Sequence, residues 1–168
     1  MIHSDIRDAQ LSPLRRAVRV LLAASLATAL FAPACLARGI APGLRFGISD
    51  NPNQFLFGGH VDGGTIAGRL RFYPSATIGL GDNLTTLQLN ADGRWILPLD
   101  RSAWHLYAGG GFGVADYRVK NGDSFSGAGA NFLFGAEVPQ RDHSFLIEAR
   151  AGTGDLPDFE FIAGFTFR

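Results

Sequence analysis

The sequence predicts an all-β protein: an eight-stranded antiparallel up-and-down transmembrane β-barrel preceded by a signal peptide. Three observations lead to this prediction. From residue 44 onward, apolar and polar side chains alternate with a period of two, which is the period of a β-strand. The 168 residues include 22 glycines and 14 phenylalanines, and no segment after residue 37 has a convincing helical period. An apolar run of signal-peptide length precedes the alternation.

Residues 1–37 have the three-part layout of a secretory signal peptide. The apolar run 20–32 ends in small residues and follows three arginines, Arg15, Arg16 and Arg19. Because a helix needs about 20 apolar residues to cross a bilayer, a cleaved leader is a better interpretation of this run than a permanent transmembrane helix. We expect cleavage before Arg38, which leaves residues 38–168 as the barrel domain. The alternative is cleavage before Cys35, which resembles a lipoprotein processing site and implies a lipidated cysteine.

Composition narrows the classes of function. The single cysteine excludes an internal disulfide framework and a zinc site built from several cysteines. With 15 basic and 15 acidic side chains the net charge is zero, so there is no electrostatic reason to expect a nucleic-acid partner. A hydrophobic content of 46% argues against a disordered chain. The composition therefore describes one folded domain.

Eight segments carry the alternation and are the predicted strands. In chain order they are residues 44–49, 54–62, 69–80, 86–97, 104–115, 127–138, 145–152 and 158–168. Asn51-Pro52-Asn53, Asp62-Gly63-Gly64 and Gly81-Asp82-Asn83 are predicted to turn the chain between the first four strands. Pro74 is predicted to mark a bulge or bend in the third strand, because proline cannot donate to the ladder. Short connections between an even number of strands favour a closed meander with both termini at one end.

The glycines indicate which face of the barrel is inside. They share one face with the arginines and carboxylates, at Gly47, Gly58, Gly79, Gly109, Gly111, Gly113, Gly127, Gly129, Gly135, Gly152 and Gly164. In the narrow interior of an eight-stranded barrel, small residues make room for long charged side chains. The apolar face is therefore predicted to contact lipid, with an aromatic girdle at one rim formed by Trp95, Trp104, Phe145, Phe165 and Phe167. The alternative is a secreted or periplasmic lipocalin-like barrel, whose apolar face lines a cavity for an apolar ligand.

The predicted lumen carries equal numbers of basic and acidic side chains. The candidate charge network consists of Arg45, Asp62, Arg69, Arg71, Asp92, Arg94, Glu137, Glu148, Arg150 and Glu160, and Asp158 and Arg168 share the same face. Buried charges are tolerated when they are paired and hydrogen-bonded. We therefore expect these side chains to pair and to plug the lumen. The individual pairs are not predicted, because a register shift of two residues preserves every facing.

Over residues 39–168 the chain resembles the small outer-membrane β-barrels of Gram-negative bacteria, the OmpA/OmpX/OmpW-like transmembrane barrels of the porin family. The matching segments, besides the signal peptide, are 55–62, 87–95, 107–114 and 163–168. The resemblance implies an outer-membrane location, outer-membrane lipid as a partner, and recognition of the last strand by the barrel-assembly machinery during biogenesis. The implied assembly signal is Phe161, Gly164, Phe165 and Phe167. The chain departs from the family in ending on Arg168, where an aromatic residue is usual, and in its short loops.

Little in the sequence points to catalysis. His60, His105 and His143 are tens of residues apart, so none forms a local metal-ligand spacing, and no metal or cofactor is expected. The pair His143-Ser144 with Glu148 resembles the Ser, His and Glu of lipid-deacylating outer-membrane barrels, although adjacent strand residues point to opposite faces. We expect a non-enzymatic integral outer-membrane protein, either structural or a narrow and largely plugged pore. A lipid-modifying enzyme is the less favoured alternative.

Overall fold

The computed structural model describes residues 40–97, 99, 102–120 and 122–168. In this part of the chain the regular structure is entirely β. The strands are β1 Ala41–Asp50, β2 Gln54–Asp62, β3 Thr65–Ala67, β4 Leu70–Leu80, β5 Leu84–Leu97, β6 His105–Val119, β7 Ser124–Pro139, β8 His143–Gly152 and β9 Phe159–Phe167. Among the described residues there is no helix that is long and apolar enough to cross a membrane.

The strands form one closed antiparallel sheet. Their order is β2-β1-β9-β8-β7-β6-β5-β4-β3, and pairing of β2 with β4 closes the sheet into a cylinder. Because the three-residue β3 only extends β2 along β4, the wall has eight strands. The prediction of an all-β, eight-stranded antiparallel barrel is confirmed. The predicted signal peptide, with both candidate cleavage sites, lies outside the described residues.

The connection between the second and third long strands differs from the prediction. The predicted turn at residues 62–64 is wrong: beyond it, β3 continues along the same partner strand, with Thr65 opposite Arg71 and an irregular register. Gly64 has a φ of 80°, and its N–H donates to the Asp62 carboxylate at 3.1 Å. The two glycines therefore bend one long strand, and the chain reverses at Gly68, where φ is 55°.

The predicted irregularity at Pro74 is also misplaced. The β4–β5 register is continuous from Leu70 opposite Trp95 to Leu80 opposite Thr85. On the other side of β4, pairing with β2 ends at Ser75, immediately before Pro74 is reached. Since proline has no N–H to donate, it occupies the point where β4 changes partner from β2 to β3.

The barrel is apolar outside and polar inside. Phe55 and Phe112 are 76% and 77% exposed on the outer face, whereas Arg94 and Glu148 are each only 1% exposed. Glycines admit large side chains to the lumen: His60 lies over Gly43 and the Tyr107 hydroxyl lies over Gly135. This distribution is the reverse of that in a water-soluble protein, and it is the one that a lipid-facing barrel requires.

Candidate functional site: the charged lumen

One carboxylate occupies the centre of the lumen. Glu148, on β8, accepts hydrogen bonds from Arg45 at 2.9 Å, from Arg94 at 2.5 Å and from Arg150 at 3.0 Å. The hydroxyl of Tyr107 donates to the same carboxylate at 3.1 Å. Strand alternation points these side chains inward from four strands, and the barrel diameter lets them meet. Three guanidinium groups therefore share one acceptor.

Two further carboxylates balance the charge of these arginines. Arg150 donates to Asp92 at 2.7 Å, and its Nε lies 3.5 Å from Glu160. We call the six residues the central cluster; its members are Arg45, Asp92, Arg94, Glu148, Arg150 and Glu160. Three positive and three negative charges are thus paired in a site where all six residues are at most 2% exposed, which is the condition for tolerating buried ions.

Two tyrosines complete the central cluster. The Arg94 guanidinium lies 3.3 Å from the centroid of the Tyr73 ring and 4.4 Å from that of Tyr107. Stacking of a cation on an aromatic face is favourable where both groups are shielded from water. Neither tyrosine was among the predicted site residues. The signal that would have found them is an aromatic residue on a lumen face that otherwise carries small and charged side chains.

A second charged group lies at the mouth where β1 begins and β9 ends, which we call the terminal mouth. Arg71 pairs with Asp62, and the last residue, Arg168, donates to Glu137 at 2.5 Å and lies 3.7 Å from Asp62. We call these four residues the terminal-mouth cluster. Asp62 is on β2 and Glu137 on β7, which three strands separate in either direction around the wall. The Arg168 side chain therefore bridges opposite walls of the barrel.

The predicted network thus divides into two clusters, and one of its members lies elsewhere. Arg69 is exposed in the turn that precedes β4, so its placement in the lumen is wrong. The reason is the continuation of β2 into β3, which moves the chain reversal to residues 68–69. Asp158, which shares the lumen phase in the sequence, is also exposed, and it accepts a hydrogen bond from Asn51 at 2.7 Å.

Further polar contacts lie between the two clusters. His60 Nε2 lies 2.9 Å from the Thr166 hydroxyl, and the Tyr73 hydroxyl is hydrogen-bonded to the same oxygen at 3.1 Å. The His60 ring stacks on that of Tyr73, with centroids 4.7 Å apart. Since Tyr73 also stacks on Arg94, side-chain contacts continue from Thr166 on β9 to the central cluster.

The opposite end of the lumen, which we call the far mouth, has an apolar closure. Leu156, in the loop between β8 and β9, is 4% exposed and packs with Ala115 and Tyr117. Below it, Asn90 accepts hydrogen bonds from Gln88 and Asn131, each at 3.3 Å. Sequence reasoning missed Leu156, because a leucine in a short loop has no periodic signal.

The residues considered for catalysis and metal binding do not assemble into a site. Ser144 is fully buried on the lumen face, and its hydroxyl has no hydrogen-bond partner within the described part of the chain. His143 precedes it on the opposite face of β8, so the pair lacks the Ser–His hydrogen bond that a nucleophilic serine needs. The described ranges also contain no group of His, Cys, Asp and Glu that is arranged to hold a metal ion.

The outer face of the last strand is aromatic. Phe161, Phe165 and Phe167 are exposed, while Gly164 faces the lumen opposite Arg45. Phe165 packs on Phe145 with ring centroids 5.3 Å apart. The residues of the expected assembly signal therefore lie on β9, with their aromatic members on the lipid-facing side.

An eight-stranded antiparallel barrel with an apolar exterior and paired charges inside is the architecture of the small outer-membrane β-barrels. The fold comparisons agree. The chain is similar to the N-terminal β-barrel domain of Pseudomonas aeruginosa OprF, with a TM-score of 0.64 and 12% identity over 76% of this chain and 95% of that chain. It is also similar to Neisserial surface protein A (NspA), with a TM-score of 0.53 and 14% identity over 76% and 93% of the two chains.

A third similar structure is the outer-membrane enzyme PagL, with a TM-score of 0.50 and 15% identity over 77% of this chain and 99% of that chain. No family model matches the sequence, and no curated protein matches it. At these identities the likenesses establish the fold alone. Because one of these similar structures is an enzyme, the fold does not decide whether this chain has an activity.

Proposed function

We propose that the chain is an integral outer-membrane β-barrel protein whose lumen is closed by its own side chains, with a structural rather than a catalytic role. The outer-membrane location is supported by the shared fold and by the lipid-compatible outer surface. Outer-membrane lipid is the expected partner of that surface. The barrel-assembly machinery is the expected partner of β9 during biogenesis.

The central cluster is the observation that carries the closed lumen. The interior of an eight-stranded barrel is just wide enough for its own side chains. Here Glu148 binds arginines from β1, β5 and β8, so the contacts cross the lumen rather than following one wall. A solute that passed this level would have to separate buried ion pairs, which is strongly unfavourable.

The direction of the side chains argues against the lipocalin-like alternative. A soluble carrier needs its apolar face inside, whereas the exposed large apolar residues here lie on the outer face. A direct test compares Arg at Leu89, on the outer face, with Arg at Gln88, which faces the lumen. Leu89→Arg should cost about 2–4 kcal/mol in the membrane, and Gln88→Arg should cost less. The readout is the shift in migration between unheated and boiled samples, and the reverse order would support the soluble carrier.

The non-enzymatic role is supported by the separation of His143 and Ser144 onto opposite faces of β8. The lipid-modifying alternative predicts that lipopolysaccharide incubated with the reconstituted protein loses an acyl chain, and that Ser144→Ala abolishes the change. Unchanged lipid with both proteins is the expected result, read by mass spectrometry of the lipid. Deacylation that depends on Ser144 would overturn the non-enzymatic role.

Conductance in planar bilayers at two ionic strengths tests the closed lumen. The unchanged protein should conduct weakly or intermittently. The Arg94→Ala, Arg150→Ala double variant removes two of the three arginines on Glu148, so it should change the conductance or the unfolding. Large, steady channels in the unchanged protein would contradict the proposal, and a double variant that matches it in both measurements would show that these arginines close nothing.

A further inference from the structure

The loop between β8 and β9, residues 153–158, contacts the lumen instead of extending away from it. β7 continues beyond the end of β8, since the pairing of these strands begins at Asn131 opposite Gly152. The loop runs along the part of β7 that extends beyond β8. There, Thr153 N–H donates to Ala130 O at 2.9 Å and Asp155 N–H donates to Ala128 O at 3.3 Å. Backbone hydrogen bonds therefore hold the loop at the far mouth.

Leu156 enters a socket made by glycines of three different strands. A Cβ at Gly113 or at Gly129 would lie 3.1 Å from the nearest Leu156 atom, and a Cβ at Gly152 would lie 3.0 Å from it. Each distance is shorter than an ordinary contact between carbon atoms. The three glycines, one each on β6, β7 and β8, therefore leave a space that the Leu156 side chain fills.

A side-chain contact fixes the loop above this socket. The Tyr117 hydroxyl donates to the Asp155 backbone oxygen at 2.5 Å, and the Tyr117 ring stacks on Phe125 with centroids 4.7 Å apart. Gly152 precedes the loop, and Gly154 within it has a φ of 69°, a conformation that glycine adopts without strain. The Tyr117 contact therefore adds a side-chain tether to the backbone hydrogen bonds that hold the loop along β7.

We propose that residues 153–158 form a latch, in which Leu156 closes the far mouth independently of the charged clusters. The inference rests on the proposed closed lumen, but it uses none of the charged residues that close the centre. Leaving the socket breaks loop hydrogen bonds that water can replace but no buried ion pair, so this closure opens at less cost than the central one. Water and small solutes then reach the asparagine layer below Leu156 only when the loop moves outward.

A cysteine at Asn131 reports on the latch. Asn131 is 1% exposed and follows Gly129 by one inward step on β7. The rate at which a water-soluble maleimide modifies Asn131→Cys in the folded, detergent-solubilised protein measures opening, and the same protein without the introduced cysteine gives the background. Adding Leu156→Ala should raise this rate about tenfold or more, because truncating a buried leucine weakens the packing that favours the closed loop over the open one. Leu156→Met, which refills the socket, should leave the rate close to that of the parent.

Tyr117→Phe provides a second, milder opening of the latch, because it removes the tether and keeps the ring stack. It should raise the labelling rate by a smaller factor than Leu156→Ala, and it serves alone if the truncated variant fails to fold, as judged by the migration shift. Parent-like labelling in both folded variants would overturn the latch and leave the closed lumen standing. Fast labelling of Asn131→Cys in the otherwise unchanged chain would mean an open lumen, which overturns both.

Discussion

The two mouths of the barrel carry different kinds of contact. At the terminal mouth, Arg168 joins Asp62 and Glu137 through ion pairs, and its side chain is 33% exposed. At the far mouth, Leu156 is held by apolar packing in a glycine socket. Ion pairs near water weaken as salt rises, whereas apolar burial does not. The contacts at one mouth are therefore sensitive to salt and those at the other are not, and the buried central cluster lies between them.

The largest change in the free energy of unfolding is expected in the central cluster, and the changes expected at the two mouths are smaller. Glu148→Gln removes the charge that three arginines share, so it should lower the free energy of unfolding by about 3–5 kcal/mol. Asp82→Asn is the matched control, since Asp82 is exposed in the turn between β4 and β5. Urea titration of the protein in lipid vesicles measures both variants. Similar losses in the two would mean that the central charges are solvated.

At the far mouth, Leu156→Ala should lower the free energy of unfolding by about 2 kcal/mol, from the lost burial and the cavity left behind. This loss should be the same at low and high salt, because no charge is involved. Unfolding midpoints at the two salt concentrations give the measurement. A loss that shrinks as salt rises would remove the distinction between the mouths.

At the terminal mouth, Arg168→Ala should cost about 1 kcal/mol, because the pair with Glu137 is partly exposed and screened. High salt should reduce the difference between this variant and the unchanged chain. Arg168→Lys retains the charge and should recover part of the loss. If the cost of Arg168→Ala does not change with salt, the terminal-mouth cluster does not act through its charges.

The smallest effect is expected for Arg69. It is close in sequence to Arg71 of the terminal-mouth cluster, but it is exposed in a turn. Arg69→Ala should change the free energy of unfolding by less than about 0.5 kcal/mol. Arg71→Ala, only two residues away, should cost more, since Arg71 pairs with the buried Asp62. Equal effects of the two substitutions would contradict the exposed position of Arg69 and would favour a position in the lumen.

The sequence was sufficient to assign the facing of most residues, because alternation with a period of two fixes which side of a strand each residue occupies. Arg45, Asp92 and Glu148 were placed inward on that basis. Their pairing was not predictable, since it depends on the register and on contacts across the lumen between distant strands. Arg69 was misplaced because two adjacent glycines act here as a bend within a strand, which the sequence pattern does not distinguish from a turn.

The loop residues and the tyrosines show a different limit. Leu156 enters the lumen because β7 is longer than β8 and offers backbone groups to the loop, and strand lengths are known only to within a few residues from a pattern. Tyr73 and Tyr107 contact Arg94 of the central cluster because three strands bring them together. Alternation shows that both tyrosines face inward, but it does not show which cation they contact.

The bridge made by Arg168 has a consequence for the order of events during folding. Its partners are on β2 and β7, and Arg168 itself directly follows β9. All three positions are brought together only when β9 is paired with both β8 and β1, which joins the first and last strands of the wall. A partly assembled sheet gains nothing from this bridge. The Arg168 bridge therefore stabilises only the complete cylinder, and it holds β9 in place after β9 has paired with both of its neighbours.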